Sequence, residues 1–342
     1  MKYSGIGGQA VIEGVMMKGK SRYAVSVRKP DGQIEVKVEA YKSLKDKYAF
    51  AKLPIIRGIF AFAESLKMGM GTLNYSASFW EEEEEKEKES SKENQKTNDL
   101  WMGLALVAAI IVAIGLFVLL PFFISEKLHK IVPSIQLRGL IEGVIRVALF
   151  VGYVKAISLL EDIRRVFMYH GAEHKCINCI ENGMELTVGN AKKQTMVHKR
   201  CGTSFMLVVM FVSILLFMFI SVPNMWVRMV LRILLIPVIA GISFEFISLA
   251  GKSENPVINV LSKPGLWLQA LTTREPDDSM LEVAISSVEA VFDWRDFLAH
   301  YDEEQPEEEG FEVVDVEDEN DEILQALDRY FDEAAPTEEK ER

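Results

Sequence analysis

The sequence predicts a mainly α-helical membrane protein with four spans, a small N-terminal β-hairpin unit, a cytoplasmic loop and a disordered acidic tail. Three observations support this fold class. Two 26-residue stretches carry no charge, the mean hydropathy is +0.12 although the net charge is −12, and the acidic residues concentrate in two short segments. A soluble acidic domain rarely combines these values, so separate apolar and solvated segments are expected.

The acidity belongs to a linker and a tail. Residues 301–342 carry a net charge of −16 and residues 81–99 carry −5, which leaves +9 for the rest of the chain. This composition excludes a wholly disordered chain, a disulfide-stapled mini-protein and a basic nucleic-acid binder. No nucleic-acid partner is therefore expected.

The first 80 residues are predicted to form a β-hairpin unit followed by a helix. Tyr23–Arg28 and Ile34–Glu39 flank Pro30-Asp31-Gly32, which is a strong hairpin signal. The glycine-rich stretch before it, around Glu13, is interpreted either as a turn-rich approach to the hairpin, which we favour, or as backbone that lies close to a partner. Residues 53–79 predict an interfacial or core helix.

Four segments are long and apolar enough to be read as membrane spans. Leu100–Ser125 and Gly202–Val227 are free of charge, and about 20 apolar residues cross a bilayer. Arg138–Leu160 and Met225–Gly251 are less pure, because the first contains Glu142, Arg146 and Lys155 after Arg138 and the second contains Arg228, Arg232 and Glu245. The lipid bilayer is therefore the first expected partner.

The distribution of basic residues predicts the orientation. Loop 161–202 carries seven Lys and Arg, whereas loop 126–137 carries two. The positive-inside rule places loop 161–202 and both termini of a multi-pass cell-membrane protein in the cytoplasm. All three cysteines lie in or next to that loop, so a reducing compartment favours a metal or free thiols over a disulfide.

The last hundred residues predict one amphipathic helix and one tail. Apolar residues at helical spacing follow Pro276 in residues 278–299, which predicts a helix on the inner face of the membrane or on the loop. Within the tail, Asp321–Asp332 carries an apolar stripe that favours either a helix docking on a protein partner or an unbound transient helix.

These segments give the predicted domain organisation. The units are a glycine-rich and β-hairpin unit with an interfacial helix (1–80), an acidic linker (81–99), a four-helix membrane domain containing loop 161–202 (100–251), a cytoplasmic amphipathic helix region (252–299) and an acidic disordered tail (300–342).

A metal site is predicted by the sequence His170-Gly171-Ala172-Glu173-His174. Residues four apart share a helix face, so both imidazoles can reach one ion, and Glu173 between them can act as a general base. This H-x-x-E-H order reverses the common zincin motif. The alternative interpretation is a polar helix end near the lipid headgroups.

His198 and Cys201, in the same loop, are the predicted further ligands of zinc or another divalent transition metal. Glu245 competes as a ligand, but its depth in the membrane favours pairing with Lys155. A rival zinc knuckle would combine His198 and Cys201 with Cys176 and Cys179 and would be structural only.

Charged residues also lie inside the less apolar spans. Glu142 and Arg146 are four apart and can pair along their helix, and Arg228 and Arg232 lie at a similar depth. The favoured interpretation is snorkelling with local pairing. The alternative is an outward polar pocket for an anionic group.

Four stretches resemble the YqhQ-like family of bacterial multi-pass membrane proteins, which are labelled predicted metal-dependent enzymes. The stretches are Gly7–Met17, Glu161–Lys175, Cys201–Phe205 and Thr272–Asp278. The resemblance implies functional importance for Glu13, His170, Glu173, His174, His198 and Cys201, but no established reaction. Lys199 stands where the family pattern has proline, and Cys176 is outside that pattern, which weakens the zinc-knuckle interpretation.

The leading hypothesis is a cytoplasm-facing metal site in a metal-dependent hydrolase. His170, His174, His198 and Cys201 would hold the metal, Glu173 would be the general base and Glu13 would complete the pocket. The substrate would be a peptide or a lipid headgroup. The alternative is a non-enzymatic membrane scaffold or assembly factor, with a structural metal or none; a transporter that uses Lys155 and Glu245 is a third and weaker hypothesis.

Overall fold

The computed structural model describes residues 2–43, 49–86, 103–104, 107–198, 201–220, 222, 224–252 and 256–301. The predicted docking helix at 321–332 and most of the linker lie outside these described residues.

The N-terminal unit is a four-stranded antiparallel meander, ordered β1-β2-β3-β4. Its strands are β1 (Gly7–Val11), β2 (Gly14–Lys18), β3 (Arg22–Arg28) and β4 (Ile34–Ala40). The predicted hairpin is confirmed as β3 and β4. The favoured interpretation of the glycine-rich stretch was wrong, because that stretch forms β1 and β2. Close packing accounts for one glycine there: a Cβ on Gly14 would lie 2.3 Å from the Ser26 carbonyl oxygen.

The described helices follow in chain order. They are α1 (Ile56–Lys86), α2 (Val107–Lys130), α3 (Ile135–Ile157), α4 (Glu161–Glu181), α5 (Val188–Lys192), α6 (Gly202–Phe219), α7 (Met225–Leu234), α8 (Ile236–Lys252), α9 (Pro256–Thr272), α10 (Asp278–Val291) and α11 (Trp294–Ala299).

One hydrophobic core joins the sheet to α4 and α10. Met17 and Ala24 from the sheet pack with Ile177 from α4 and Met280 from α10, all fully buried or nearly so. Residues 161–202 were expected to form a loop but are largely helical, because they contain α4 and α5. The predicted helix after Pro276 is confirmed as α10 and α11, and α10 packs on this core.

Two helices are long and apolar enough to cross a membrane, namely α2 and α6. Two further spans are present if each bent helix pair counts as one: α3 with α4, bent by 101°, and α7 with α8, bent by 46°. The second bend precedes Pro237, whose missing N–H weakens helix continuity. The structure thus supports two to four spans.

Glu245 pairs with Arg57 of α1, which corrects the expected pairing with Lys155. The Arg57 Nε atom lies 2.7 Å from Glu245 Oε1, whereas Lys155 is exposed. The position of Glu245 within its predicted span could not reveal this partner, because Arg57 belongs to α1, which packs on α8 through a close contact between two glycines. A Cβ on Gly58 would lie 2.7 Å from the Gly241 carbonyl oxygen.

Candidate metal centre

Helix α4 presents His170 and His174 side by side. Their ring centroids are 4.4 Å apart, as the i, i+4 spacing requires. Gly171 lets this helix approach the segment after α9, because a Cβ there would lie 2.1 Å from the Arg274 carbonyl oxygen. Close packing at the glycine therefore brings the two imidazoles against the end of α9.

Backbone carbonyls hold both imidazoles by the same ring atom. His170 Nδ1 lies 2.8 Å from the Thr272 carbonyl oxygen, and His174 Nδ1 lies 2.5 Å from that of Met196. A carbonyl only accepts hydrogen bonds, so each Nδ1 is protonated and donates. In the neutral ring this leaves Nε2 unprotonated on both histidines, which is the form that ligates metals.

Cys201 brings the third donor atom to the same place. It is the N-cap of α6, and its Sγ atom lies 3.3 Å from the Thr203 amide nitrogen. The same sulfur lies 3.1 Å from His170 Nε2. The start of α6 therefore delivers a sulfur to the face of α4 that carries the histidines.

The three donor atoms of His170, His174 and Cys201 lie within 4.8 Å of one another, so the group could hold a metal ion. Among the residues that the structure describes, no other three His, Cys, Asp or Glu side chains bring their donor atoms this close together. His174 and Cys201 are buried, and His170 is half-buried. Three protein donors with one remaining position is the pattern of catalytic zinc sites, whereas structural sites have four.

Without a metal, the group behaves as an ion pair. Burial opposes the thiolate, but the charge of His170 and hydrogen bonds from both histidines hold the pKa of Cys201 well below its usual value. Burial also opposes the charge on His170, but the Cys201 thiolate outweighs it and raises the His170 pKa to about 9. A thiolate is the form of cysteine that binds metals.

His198 lies beside this group, with its ring 5.6 Å from the His174 ring. Its Nε2 atom is 3.7 Å from Glu181 Oε2, and the side chain of Gln269 bonds both its backbone N–H and its carbonyl. The structure thus brings three of the four predicted ligands together and leaves the fourth next to Glu181.

The two predicted catalytic carboxylates lie on the side of α4 that faces the sheet. Glu173 is buried, and a Cβ on Gly8 would lie 3.1 Å from its carboxyl carbon. Glu13 occupies the β1–β2 turn at φ 49°, where Arg165 of α4 binds both of its oxygens and the Tyr169 hydroxyl is 3.3 Å away. Glu13 therefore ties the turn to the residues just before His170.

The cysteines of the rival zinc knuckle are not brought to His198 and Cys201. Cys176 is fully buried in the core, and Cys179 Sγ lies 3.3 Å from the Glu185 carbonyl oxygen. Burial raises the pKa of both thiols, that of Cys179 to about 11. Protonated core thiols are poor metal ligands.

Sequence reasoning missed the groups that orient the donors. The carbonyls of Thr272 and Met196 have no side-chain signature, although Thr272 opens one of the stretches that resemble the family. Glu181 also escaped notice. Its carboxylate accepts hydrogen bonds from the N–H and the hydroxyl of Ser4, at 3.0 and 2.7 Å, and so ties the N-terminus to α4.

Comparison with known proteins identifies the family. The profile of the family described as "Protein of unknown function (DUF1385)" matches residues 53–294. The chain belongs to the DUF1385 family. It is also 37% identical over 286 residues to "Uncharacterized protein YqhQ" of Bacillus subtilis (strain 168), covering 82% of this chain and 90% of that protein. No solved structure matches the chain.

The DUF1385 match includes the metal group and every described helix from α1 to α10, but not the sheet. His170, His174 and Cys201 therefore lie inside it, and Glu13 lies outside it. Neither description names a reaction. Functional inference must accordingly start from the geometry of the site.

Proposed function

We propose that this DUF1385 protein is a membrane-associated, metal-dependent hydrolase. The observation that carries the proposal is the group of two Nδ1-anchored histidines and one thiolate within 4.8 Å of one another. Such a donor set suits zinc or another divalent transition metal. A metal in such a site supplies a Lewis acid that polarises a substrate carbonyl or phosphoryl oxygen and acidifies water.

The protein's own groups have distinct roles in this proposal. His170, His174 and Cys201 hold the metal, and the carbonyls of Thr272 and Met196 fix the orientation of the two imidazoles. Glu173, three residues after His170 on α4, accepts the proton from the attacking water.

Two other predicted residues receive positioning roles. Glu13 is engaged by Arg165 and Tyr169, so it holds the β1–β2 turn against α4. His198 supports the segment before Cys201 through Gln269 and Glu181. The excess of Lys and Arg in residues 161–202 favours the cytoplasmic side of the membrane for this centre and for both termini, by the positive-inside rule.

The first test is metal analysis of the full-length protein purified in detergent. Wild type and His198→Ala should each bind about one equivalent of zinc, and His170→Ala/His174→Ala should bind none. His129→Ala, which removes an exposed histidine of α2, is the matched control. Cys201→Ser should lose most of the metal, whereas Cys179→Ser should retain it. Unchanged zinc in the double variant would refute the site.

The second test separates hydrolysis from metal binding. With 4-nitrophenyl acetate as the probe, Glu173→Gln should retain zinc but lose about 10²-fold in rate, as expected for loss of a general base. Metal binding with no hydrolysis in wild type would leave a structural metal in a non-enzymatic scaffold, whereas equal rates in both proteins would reject Glu173 as the general base.

A further inference from the structure

A second set of buried charges lies among the membrane helices, away from the metal group. Its members, called here the arginine cluster, are Arg138 and Arg146 of α3, Arg228 and Arg232 of α7, Glu126 of α2 and Glu142 of α3. Each arginine is at most 8% exposed. Of the favoured expectation, local pairing is confirmed by the contact between Glu142 and Arg146, whereas snorkelling is wrong, because all four arginine side chains are buried.

The ion pairs inside the cluster do not balance its charge. Glu142 binds Arg146, with Nη2 and Oε1 2.7 Å apart, and also Arg232. Glu126 binds Arg228 at 2.9 Å and lies 3.6 Å from Arg138. Four guanidinium groups thus share two carboxylates, and the cluster carries a charge of +2. An isolated excess charge in a low-dielectric interior is costly and calls for a counter-ion.

Hydrogen bonding is incomplete at the same arginines. Arg146 is satisfied, because it donates to Glu142, to Ser213 and to the Phe117 carbonyl in the π-helical turn of α2. In contrast, the buried Nε atoms of Arg138 and Arg228 find no hydrogen-bond acceptor among the residues that the structure describes. Native proteins rarely leave such donors unpaired, so an acceptor is expected there.

Aromatic rings supply only part of the missing compensation. The guanidinium of Arg232 lies 4.6 Å from the centroid of Phe122 and 4.9 Å from that of Phe217. Such contacts are weakly attractive and accept no conventional hydrogen bond. They leave the Nε atoms of Arg138 and Arg228 in need of an anionic acceptor.

Two neighbouring cavities indicate the shape of the ligand. A narrow cleft of about 10 Å³, enough for one oxygen-sized group, is lined by Arg138, Arg228 and Arg232. An apolar cavity of about 230 Å³ adjoins it, and Phe217 and Arg232 line both. Arg146 also faces the larger cavity, whose other lining residues are mainly apolar. The pair of cavities fits an anionic oxygen attached to an alkyl chain.

We propose that the arginine cluster binds the phosphate of an anionic phospholipid, with an acyl chain in the apolar cavity. Arginine suits phosphate because its planar fork offers several donors to the oxygens. One phosphate oxygen enters the cleft and accepts from Arg138 and Arg228, and the negative charge offsets the excess of the cluster. This site is independent of the metal group, so either can exist without the other.

The test measures lipid binding to the full-length protein in detergent by native mass spectrometry. Wild type is titrated with phosphatidylglycerol, with zwitterionic phosphatidylcholine and with inorganic phosphate. We expect phosphatidylglycerol to bind at least about tenfold more tightly than phosphatidylcholine, because both carry the phosphodiester but the choline cation is repelled by the excess positive charge of the cluster. Equal affinity for the two lipids in wild type would overturn the proposal without any variant.

Variants then locate the site. Arg138→Gln and Arg228→Gln should each weaken phosphatidylglycerol binding about tenfold and reduce its preference over phosphatidylcholine. Lys155→Gln is the matched control, because it removes a positive charge from an exposed position of the same helix as Arg138. Loss of selectivity in Lys155→Gln, or its retention in both arginine variants, would also overturn the proposal.

Two readouts keep the result interpretable. Each glutamine variant removes part of the charge excess and leaves Glu126 one arginine partner, so its melting temperature without lipid should not fall below that of Lys155→Gln. Arg138→Lys, which keeps the charge but loses the fork, should recover part of the binding if the first variant fails to fold. Inorganic phosphate that binds as tightly as phosphatidylglycerol, so that the acyl chain adds nothing, would assign the cluster to a free anion and reject the lipid as its source.

Discussion

The metal group and the arginine cluster are both buried sets of ionisable side chains, yet they differ in how far their charges and hydrogen bonds are satisfied. In the metal group, each imidazole donates to a backbone carbonyl, and the thiolate balances the adjacent imidazolium. In the arginine cluster, four cations share two carboxylates, and two buried Nε atoms find no acceptor among the described residues.

The difference indicates what each set lacks. A set whose outer hydrogen bonds are satisfied and whose donor atoms face each other is organised around a central cation. A set with excess charge and unpaired donors is organised around an anion that the protein does not itself supply. Burial alone therefore does not indicate what a set of ionisable side chains binds. The balance of its charges and hydrogen bonds indicates whether the ligand is a cation or an anion.

The largest expected effect is the stabilisation of the folded protein by bound zinc, which would show that the metal group is organised around a cation. Adding zinc at about 1,000 times its Kd to metal-free protein should raise the free energy of unfolding by about 4 kcal/mol. His170→Ala/His174→Ala should show no increase, because the donor atoms are gone. Thermal denaturation with and without a chelator measures it. An equal zinc response in both proteins would show that the histidines are not the ligands.

Next in size is the loss of a shared carboxylate from the arginine cluster. Glu142→Gln leaves Arg146 and Arg232 without their common partner, and we expect a loss of about 3–5 kcal/mol of unfolding free energy. Glu289→Gln, which breaks an exposed pair with Arg295, should cost less than about 1 kcal/mol. Comparable melting temperatures for these two variants would contradict the buried, charge-limited cluster.

A smaller effect is expected at the glycine that seats the metal group. Gly171→Ala drives a Cβ into the Arg274 carbonyl, so we expect a loss of about 1–3 kcal/mol in unfolding free energy. Because Thr272 orients His170, zinc affinity should also fall by about 10–100-fold. In Gly152→Ala of α3 the Cβ meets nothing within 4 Å, so that variant should be neutral or slightly stabilised. Calorimetric zinc titration of both variants is the check.

The smallest effect tests the helix cap beside the metal group. Asp277→Ala removes the acceptor of the Met280 N–H, 2.9 Å away, and should cost about 1 kcal/mol. Burial favours the neutral acid, but hydrogen bonds from Ser279 and Met280 and the charge of Arg165 outweigh it and lower the pKa of Asp277.

The sign of the pH dependence follows from that lowered pKa. A depressed folded-state pKa stabilises the protein above the unfolded value, near 3.9, and this stabilisation is lost as the pH falls through the folded value. The stability difference between wild type and Asp277→Ala should therefore shrink below about pH 4. A difference that stays constant in denaturation curves from pH 7 to pH 3 would contradict a charged cap.

Local patterns were sufficient for several elements. The turn at Pro30-Asp31-Gly32 predicted β3 and β4, and helical periodicity predicted α10. Strands β1 and β2 were missed because much of their stabilisation comes from packing against α4 and α10, which are distant in the sequence. Gly8 and Gly14 weaken strand propensity locally, but β1 pairs with β2 and β2 pairs with β3, and these antiparallel pairs supply the hydrogen bonds.

The sequence by itself determined that two imidazoles share a helix face and that charged side chains lie within apolar segments. The helical repeat and the hydropathy of neighbouring residues are properties of the chain alone. Only the tertiary structure decided that Cys201 joins those imidazoles while His198 is held by Gln269, that Glu245 pairs with Arg57, and that two glutamates serve four arginines. These outcomes depend on which helices pack together, because a hydrogen bond or an ion pair requires a short distance and a suitable direction in space, whatever the separation of the two residues along the chain.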